Sequence, residues 1–431
     1  MLPKRKRGWL LWIVSAFFMS VLVACGPTKL TISRANLKPN GLAAAPLLIP
    51  KPVTLAKWES QIRPRLQVEL QQEVFGFLPD ASTTTIIDKR LIADSTFNGK
   101  ATIEEYTLTA TATFGEKTAT TAPFKLVVVM PKDMAGPVPV ILMQSFCPNH
   151  NTVQHPGVSK PAMNGFSCDG TGIMAKTMGY VFGRYIATPP MEMILDHGYA
   201  LAAMYPSEFV PDRSEAGLAA LKQLSAGHKD DKTRWGAIAA WGWGFSRAID
   251  VLEQDERFNK NGFVTYGHSR YGKSALVAAA FDPRVGAVMS HQSGTGGASL
   301  NKYKKGESVS EITKTFPHWF SKSYASYAGR EQDMRTDQHA LLALIAPRQL
   351  FLGNARRDVW SDPNGAFRAA QAANSSYKLY NKQGLTQEKL SDFTPAADIA
   401  FWIRPGTHGV VKEDWPAFLE FMDAHYKDKY W

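Results

Sequence analysis

Thr265-Tyr266-Gly267-His268-Ser269-Arg270-Tyr271-Gly272-Lys273-Ser274 sets one serine between an apolar run and an alanine-rich one. Gly262 to Tyr266 reads as a short apolar strand, and Lys273 to Phe281 is alanine-rich and helix-forming. One serine therefore stands where a buried strand turns sharply into a helix. Such a turn strains its central residue and leaves no room for side chains on its flanks, so small residues are needed on either side. Gly267 and Gly272 meet that demand. The spacing Gly-x-Ser-x-x-Gly is one residue longer than the commonest elbow, so the motif alone also admits a serine N-cap between ordinary glycine turns.

Outward from the elbow the apolar runs keep a regular rhythm. Leu55 to Phe77 is an amphipathic helical stretch, and Thr102 to Thr113 alternates as a strand does. Phe124 to Met130 and Val138 to Met143 are β-branched runs separated by a turn from Pro131 to Pro137. Tyr199 to Tyr205 is another strand, followed by helices from Ala216 to Ser225 and Thr233 to Gln254. After the elbow come strands Gly286 to Ser290 and Gln349 to Gly353, helix Gly365 to Asn374, strand Ile399 to Arg404 and helix Trp415 to Lys427. Strands alternating with helices predict one doubly wound α/β sheet. Ser145 to Thr188 and Gly294 to Thr336 break the rhythm; as long loops in such a fold they are candidate pocket walls.

A serine hydroxyl attacks only when a base takes its proton, and the base needs an acid to hold its tautomer. The order of elements asks for an acid after a later strand and a histidine after the last one. Asp358 follows the strand Gln349 to Gly353, and His408 follows the strand ending at Arg404, in Pro405-Gly406-Thr407-His408-Gly409. The order Ser269, Asp358, His408 is that of α/β-hydrolases. The expected architecture is therefore an α/β-hydrolase fold, a three-layer αβα sandwich with a mostly parallel central sheet. His150 and His155 stand five residues apart without a third partner, which argues against a metal, and no cofactor is implied.

The ends of the chain bear on where it works. Lys4 to Arg7 is a cationic head, Trp9 to Val21 is apolar, and Leu22-Val23-Ala24-Cys25 closes the segment, the three-part form of a secretory signal. That ending resembles the lipobox of bacterial lipoproteins, which makes Cys25 the lipidated first mature residue; an ordinary cleaved signal is the alternative. The expected organisation is a signal over 1–24, a low-charge tether over 25–53 and a single catalytic domain over 54–431. The expected location is the bacterial cell envelope, with the lipid on Cys25 in the membrane. Without the signal, 45 basic residues face 38 acidic ones, a net charge of +7. There is no further basic run with interleaved aromatics, which argues against nucleic acid as a partner. Cys147 and Cys168 remain, either as one disulfide or as two buried thiols.

Gly267-His268-Ser269-Arg270-Tyr271-Gly272-Lys273 resembles the Gly-x-Ser-Arg-x-Gly-Lys signature of the glucuronoyl esterases, carbohydrate esterase family fifteen. Trp235 to Gly244, Ser293-Gly294-Thr295-Gly296-Gly297, Phe316 to Phe320, Asp337 to Arg348 and Asp358 to Pro363 are similar to its bacterial members, so the resemblance spans residues 55 to 431. It implies a cofactor-free serine esterase that cleaves the ester between a (4-O-methyl-)glucuronate of glucuronoxylan and a lignin alcohol. Ser269 is then the nucleophile, His408 the base and Asp358 the acid. The backbone N–H and guanidinium of Arg270 meet the oxyanion, and Lys273, Glu307 and Trp360 hold the sugar. The bland readings are a solvated arginine, a surface lysine and a core tryptophan. Other activities compatible with the same residues are acetyl or feruloyl xylan esterase, or a catalytically dead carbohydrate-binding lipoprotein; the chain is expected to be a monomer. One departure stands out. Many members carry a glutamate as acid before the Ser-Gly-x-Gly-Gly turn, where this chain has Gln292, so the acid role falls to Asp358 and loss of Gln292 is expected to matter little.

Overall fold

The computed structural model describes residues 53–161, 168, 182–302 and 305–430. The signal segment, Cys25 and nearly all of the tether lie outside the described residues.

Among these residues ten strands form one sheet: β1 (Ala81–Thr96), β2 (Ala101–Phe114), β3 (Lys117–Thr120), β4 (Phe124–Pro131), β5 (Val138–Gln144), β6 (Ala200–Met204), β7 (Phe258–His268), β8 (Ala287–His291), β9 (Gln349–Ala355) and β10 (Ile399–Arg404). Their order is β1-β2-β4-β6-β5-β7-β8-β9-β10, with β3 paired to β2. From β6 to β10 every neighbouring pair is parallel. Strands β1 to β4 pair antiparallel, and β4 joins β6 antiparallel.

The parallel part is buried on both faces. Every residue of β5, β6 and β8 is buried, as parallel strands between two helical layers must be. Successive side chains point to opposite faces. Val140 and Leu142 of β5 join the cluster covered by α2 (Ser214–Leu224), α3 (Ala237–Leu252), α4 (Arg270–Phe281) and α5 (Pro363–Leu379). Ile141 and Met143 join the other cluster, covered by α1 (Met191–Asp196) and α6 (Asp414–Tyr430). Helices α3 and α4 touch nearly backbone to backbone: a Cβ on Gly242 would stand 3.0 Å from the Ser274 carbonyl oxygen.

The α/β-hydrolase layering agrees with the sequence pattern, and the apolar runs read as strands all fall on strands. The antiparallel end differs from it. Strand β1 gives no alternation because it is the sheet edge and largely exposed on both faces, with Ile86, Ile87 and Leu91 all in solvent. Between β1 and β5 no helix intervenes, so the sheet is doubly wound only from β5 onward. The elbow elements are also longer than expected: β7 begins at Phe258, and α4 starts at Arg270, immediately after Ser269.

Candidate active site

Strand β7 delivers Ser269 to the N-cap of α4 at φ 57 and ψ −120, a backbone conformation that costs a non-glycine residue about 1–3 kcal/mol. Neighbours over-determine it. Ser269 N donates to the His291 carbonyl at 2.8 Å, and Lys273 N donates to the Ser269 carbonyl at 3.1 Å. A Cβ on Gly267 would lie 2.1 Å from the Tyr271 carbonyl oxygen, so only glycine permits the turn. The Ser269 hydroxyl makes no capping hydrogen bond, which removes the reading of this serine as an ordinary N-cap.

The parallel register sets the ends of β7, β8, β9 and β10 side by side: His268 pairs with His291, His291 with Gly353, and Ala355 with Arg404. The turns after β9 and β10 carry Asp358 and His408. His408 Nδ1 is 2.7 Å from Asp358 Oδ2. The Ser361 hydroxyl donates to the same carboxylate oxygen, and Ser361 N donates to Oδ1 at 3.3 Å. Burial by itself pushes the Asp358 carboxyl up, but the His408 charge and these hydrogen bonds outweigh it and hold the group below the usual carboxylate range. Asp358 is therefore an ionised, fully buried partner of His408. The ring of His268, next to Ser269 in the chain, lies 4.5 Å from that of His408, which brings the His408 turn against the elbow. His268 is buried, neither of its nitrogens has a hydrogen-bond partner among the described residues, and burial together with the charges of His408 and His291 holds it neutral.

Arg270 follows Ser269 at the first turn of α4. Its Nη1 donates to Asp212 Oδ2, and its guanidinium packs over Trp319, Phe146 and Phe316, 4.7, 5.1 and 5.6 Å from the ring centroids. Its Nε is buried and has no partner among the described residues. Asp212 also accepts from His318 Nε2 at 3.0 Å and Trp319 Nε1 at 2.8 Å. Against the opposing effect of burial, the His318 bond, the Arg270 charge and the Trp319 bond pull its carboxyl down to about 2. The stability this pairing adds is complete above the ordinary carboxylate value near ~3.9 and is lost as the pH falls toward about 2, so the Arg270 pair is intact at neutral pH.

Lys273 is buried, not on the surface; its Nζ donates to the Ser293 carbonyl and stands 6.0 Å over the Trp319 ring. Trp360 is 43% exposed, so it is not a core tryptophan. Glu307 lies beside it, with Glu307 N donating to the Trp360 carbonyl at 3.4 Å. Cys147 and Cys168 form a disulfide. His155 Nδ1 accepts from Gly157 N at 3.1 Å, and among the described residues no His, Cys, Asp and Glu side chains gather as a metal site.

Two participants have no signal in the sequence. Asp212 sits in a loop far from the elbow in the chain. Ser361 lies inside the Asp358 to Pro363 motif but carries no motif-level role. Gln292, which the sequence marks only as the place of a missing acid, has both ends of its amide hydrogen-bonded to the His408 turn. The Phe316 to Phe320 motif is the one cue that pointed toward Trp319.

The comparisons with known proteins agree on one family. A family model described as glucuronyl esterase, fungi, matches residues 228–381. A carbohydrate esterase of an unidentified prokaryote is 32% identical over 393 residues, which cover 86% of each chain. The structure of a glucuronoyl esterase from Solibacter usitatus aligns at a TM-score of 0.74 and 30% identity, over 90% of this chain and 99% of that one. A structure described as a promiscuous CE15 esterase from a marine bacterial metagenome aligns at 0.78 and 28% identity, over 90% of this chain and 98% of that one.

Proposed function

The chain belongs to the glucuronoyl esterases of carbohydrate esterase family 15, carboxylic ester hydrolases, and from that premise we propose that it cleaves glucuronate esters of glucuronoxylan with lignin alcohols through an acyl-enzyme on Ser269. The observation that carries the mechanism is the 2.7 Å contact of His408 Nδ1 with the buried Asp358 carboxylate, in a turn packed against the residue before Ser269. Ser269 Oγ attacks the ester carbonyl while His408 Nε2 takes its proton, and Asp358 stabilises the imidazolium. The carbonyl oxygen becomes an oxyanion, which the Arg270 backbone N–H at the start of α4 and the unpartnered Nε receive. Collapse breaks the bond to the alcohol, which leaves with the proton from His408. Water then repeats the sequence on the acyl-enzyme, releasing the free glucuronate and restoring Ser269.

Lys273, Glu307 and Trp360 are the proposed sugar contacts. The exposure of Trp360 beside Glu307 supports a ring-covering role, since an apolar surface left in water at a site suits a sugar face. The test compares hydrolysis of benzyl glucuronate with that of acetylated xylan. Faster cleavage of the glucuronate ester is the expected result; acetate release without glucuronate cleavage would replace this reading with an acetyl xylan esterase.

Asp212 holds Arg270 in place, so Asp212→Asn should lower kcat on the order of tenfold with a smaller change in KM, because a charge-assisted partner of the oxyanion group is weakened. Steady-state kinetics check it; an unchanged kcat would show that the pair only stabilises the fold. Anchoring is proposed through Cys25 on the strength of the Leu22 to Cys25 ending. Labelled palmitate should enter the parent expressed in a bacterium and be lost in Cys25→Ala; equal labelling of both would remove the anchor.

A further inference from the structure

Gln292 follows β8, and its side chain grips the turn that carries His408 from both sides. Gly409 N donates to Gln292 Oε1 at 2.8 Å, and Gln292 Nε2 donates to the Thr407 carbonyl at 3.2 Å. These two backbone groups belong to the residues immediately before and after His408. Gln292 is itself fixed: its N donates to the Gly353 carbonyl at 2.7 Å, and its carbonyl oxygen lies 3.2 Å from Ser361 Oγ. It is 1% exposed and sits at φ 49, a left-handed angle that costs a residue with a side chain. Ser361 donates to Asp358, so one residue ties the acid loop to the base turn. The turn itself requires glycine on both sides of His408, with Gly406 at φ 105 and Gly409 at φ 154.

We propose that Gln292 is a positioning residue for the reaction: its carboxamide clamps the His408 turn and sets the base against Asp358, using one donor and one acceptor, a pair that a carboxylate does not supply. A charged glutamate offers acceptors alone, and one of its oxygens would face the Thr407 carbonyl without a proton between them. A protonated glutamate restores the donor. The inference rests on the reading of Ser269, Asp358 and His408 as the reacting set, and not on the identity of the substrate.

The groups facing Gln292 are defined. His291 precedes it on β8, where burial holds the imidazole down to about 4 and Nε2 reaches the Gly409 carbonyl at 3.1 Å. His408 lies between its two partners, and Asp358 joins through Ser361. Arg404 holds the Gly409 carbonyl at 2.7 Å and pairs with Asp414. With Arg404 and His291 still holding Gly409, loss of the Gln292 amide misaims the turn without releasing it.

The experiment uses the whole protein as parent, Gln292→Ala and Gln292→Glu, and reads kcat and KM on benzyl glucuronate, the rate of Ser269 labelling by a fluorophosphonate, and the pH profile of both. Gln292→Ala should lower kcat and the labelling rate on the order of 10- to 100-fold with KM nearly unchanged, the size expected when a base is misaligned. Gln292→Glu should stay near the parent at the acid end of the profile and then decline as the new carboxyl ionises. Burial and the facing carbonyl raise that carboxyl above the ordinary value of about 4.3, so the decline falls on the alkaline side of a limb the parent keeps flat. A Gln292→Ala variant within about twofold of the parent overturns the proposal, as does a Gln292→Glu variant whose profile matches the parent throughout. If Gln292→Ala does not fold, the Gln292→Glu profile decides alone, since one folded variant is compared with itself across pH. A parent that labels but leaves benzyl glucuronate intact defeats the substrate reading only, and the clamp is then judged on labelling rates.

Discussion

Asp358→Asn should lower kcat by about four orders of magnitude on benzyl glucuronate while the fold and KM stay close to the parent. The carboxylate is fully buried, is ionised and meets His408 Nδ1 at 2.7 Å. Asparagine fills the same volume and can still accept from Ser361. It cannot balance the charge of an imidazolium, and its amide donor favours the tautomer with Nδ1 unprotonated, which leaves the proton on the nitrogen that has to act as base. The depressed carboxyl also sets a pH limit. Its contribution to stability is present above the ordinary value near ~3.9 and is lost as the pH falls through the lower folded value, so the carboxylate is charged at neutral pH. Kinetics on purified parent and variant check the expectation. A loss below about tenfold would take Asp358 out of the reaction, a demanding result because among the described residues no other carboxylate is hydrogen-bonded to His408.

Ser269→Ala should be the most damaging change, lowering kcat on the order of 10⁶-fold and abolishing fluorophosphonate labelling. The hydroxyl caps nothing in α4, and the turn is held by backbone bonds to His291 and Lys273, so alanine at this position leaves the elbow standing. Melting temperature should therefore barely move, and the loss is a loss of chemistry. Residual turnover above about one thousandth of the parent, or labelling at another residue, would show that the acyl group is carried elsewhere.

The central half of the fold was legible because its signals are local. The glycines around Ser269, the apolar runs of β5 to β10 and the alanine-rich second half of α4 each follow from a few adjacent residues whose periodicity or size admits one backbone. The chain order of Ser269, Asp358 and His408 was legible for the same reason, since each follows a strand. Strand β1 was not legible, because an edge exposed on both faces is under no demand to alternate. The exposure of Trp360 and the burial of Lys273 were equally closed to sequence, because both depend on which loop covers which helix end.

The elbow, the parallel core and the candidate serine, histidine and aspartate can be read from local sequence, since backbone strain and side-chain periodicity are written in neighbouring residues. How those residues are held depends on contacts between distant segments. Asp212 reaches Arg270 from 58 positions away, and Gln292 clamps a turn more than a hundred residues further along. A hydrogen bond needs a donor and an acceptor about 3 Å apart, and no local pattern records which distant segments the sheet will bring that close.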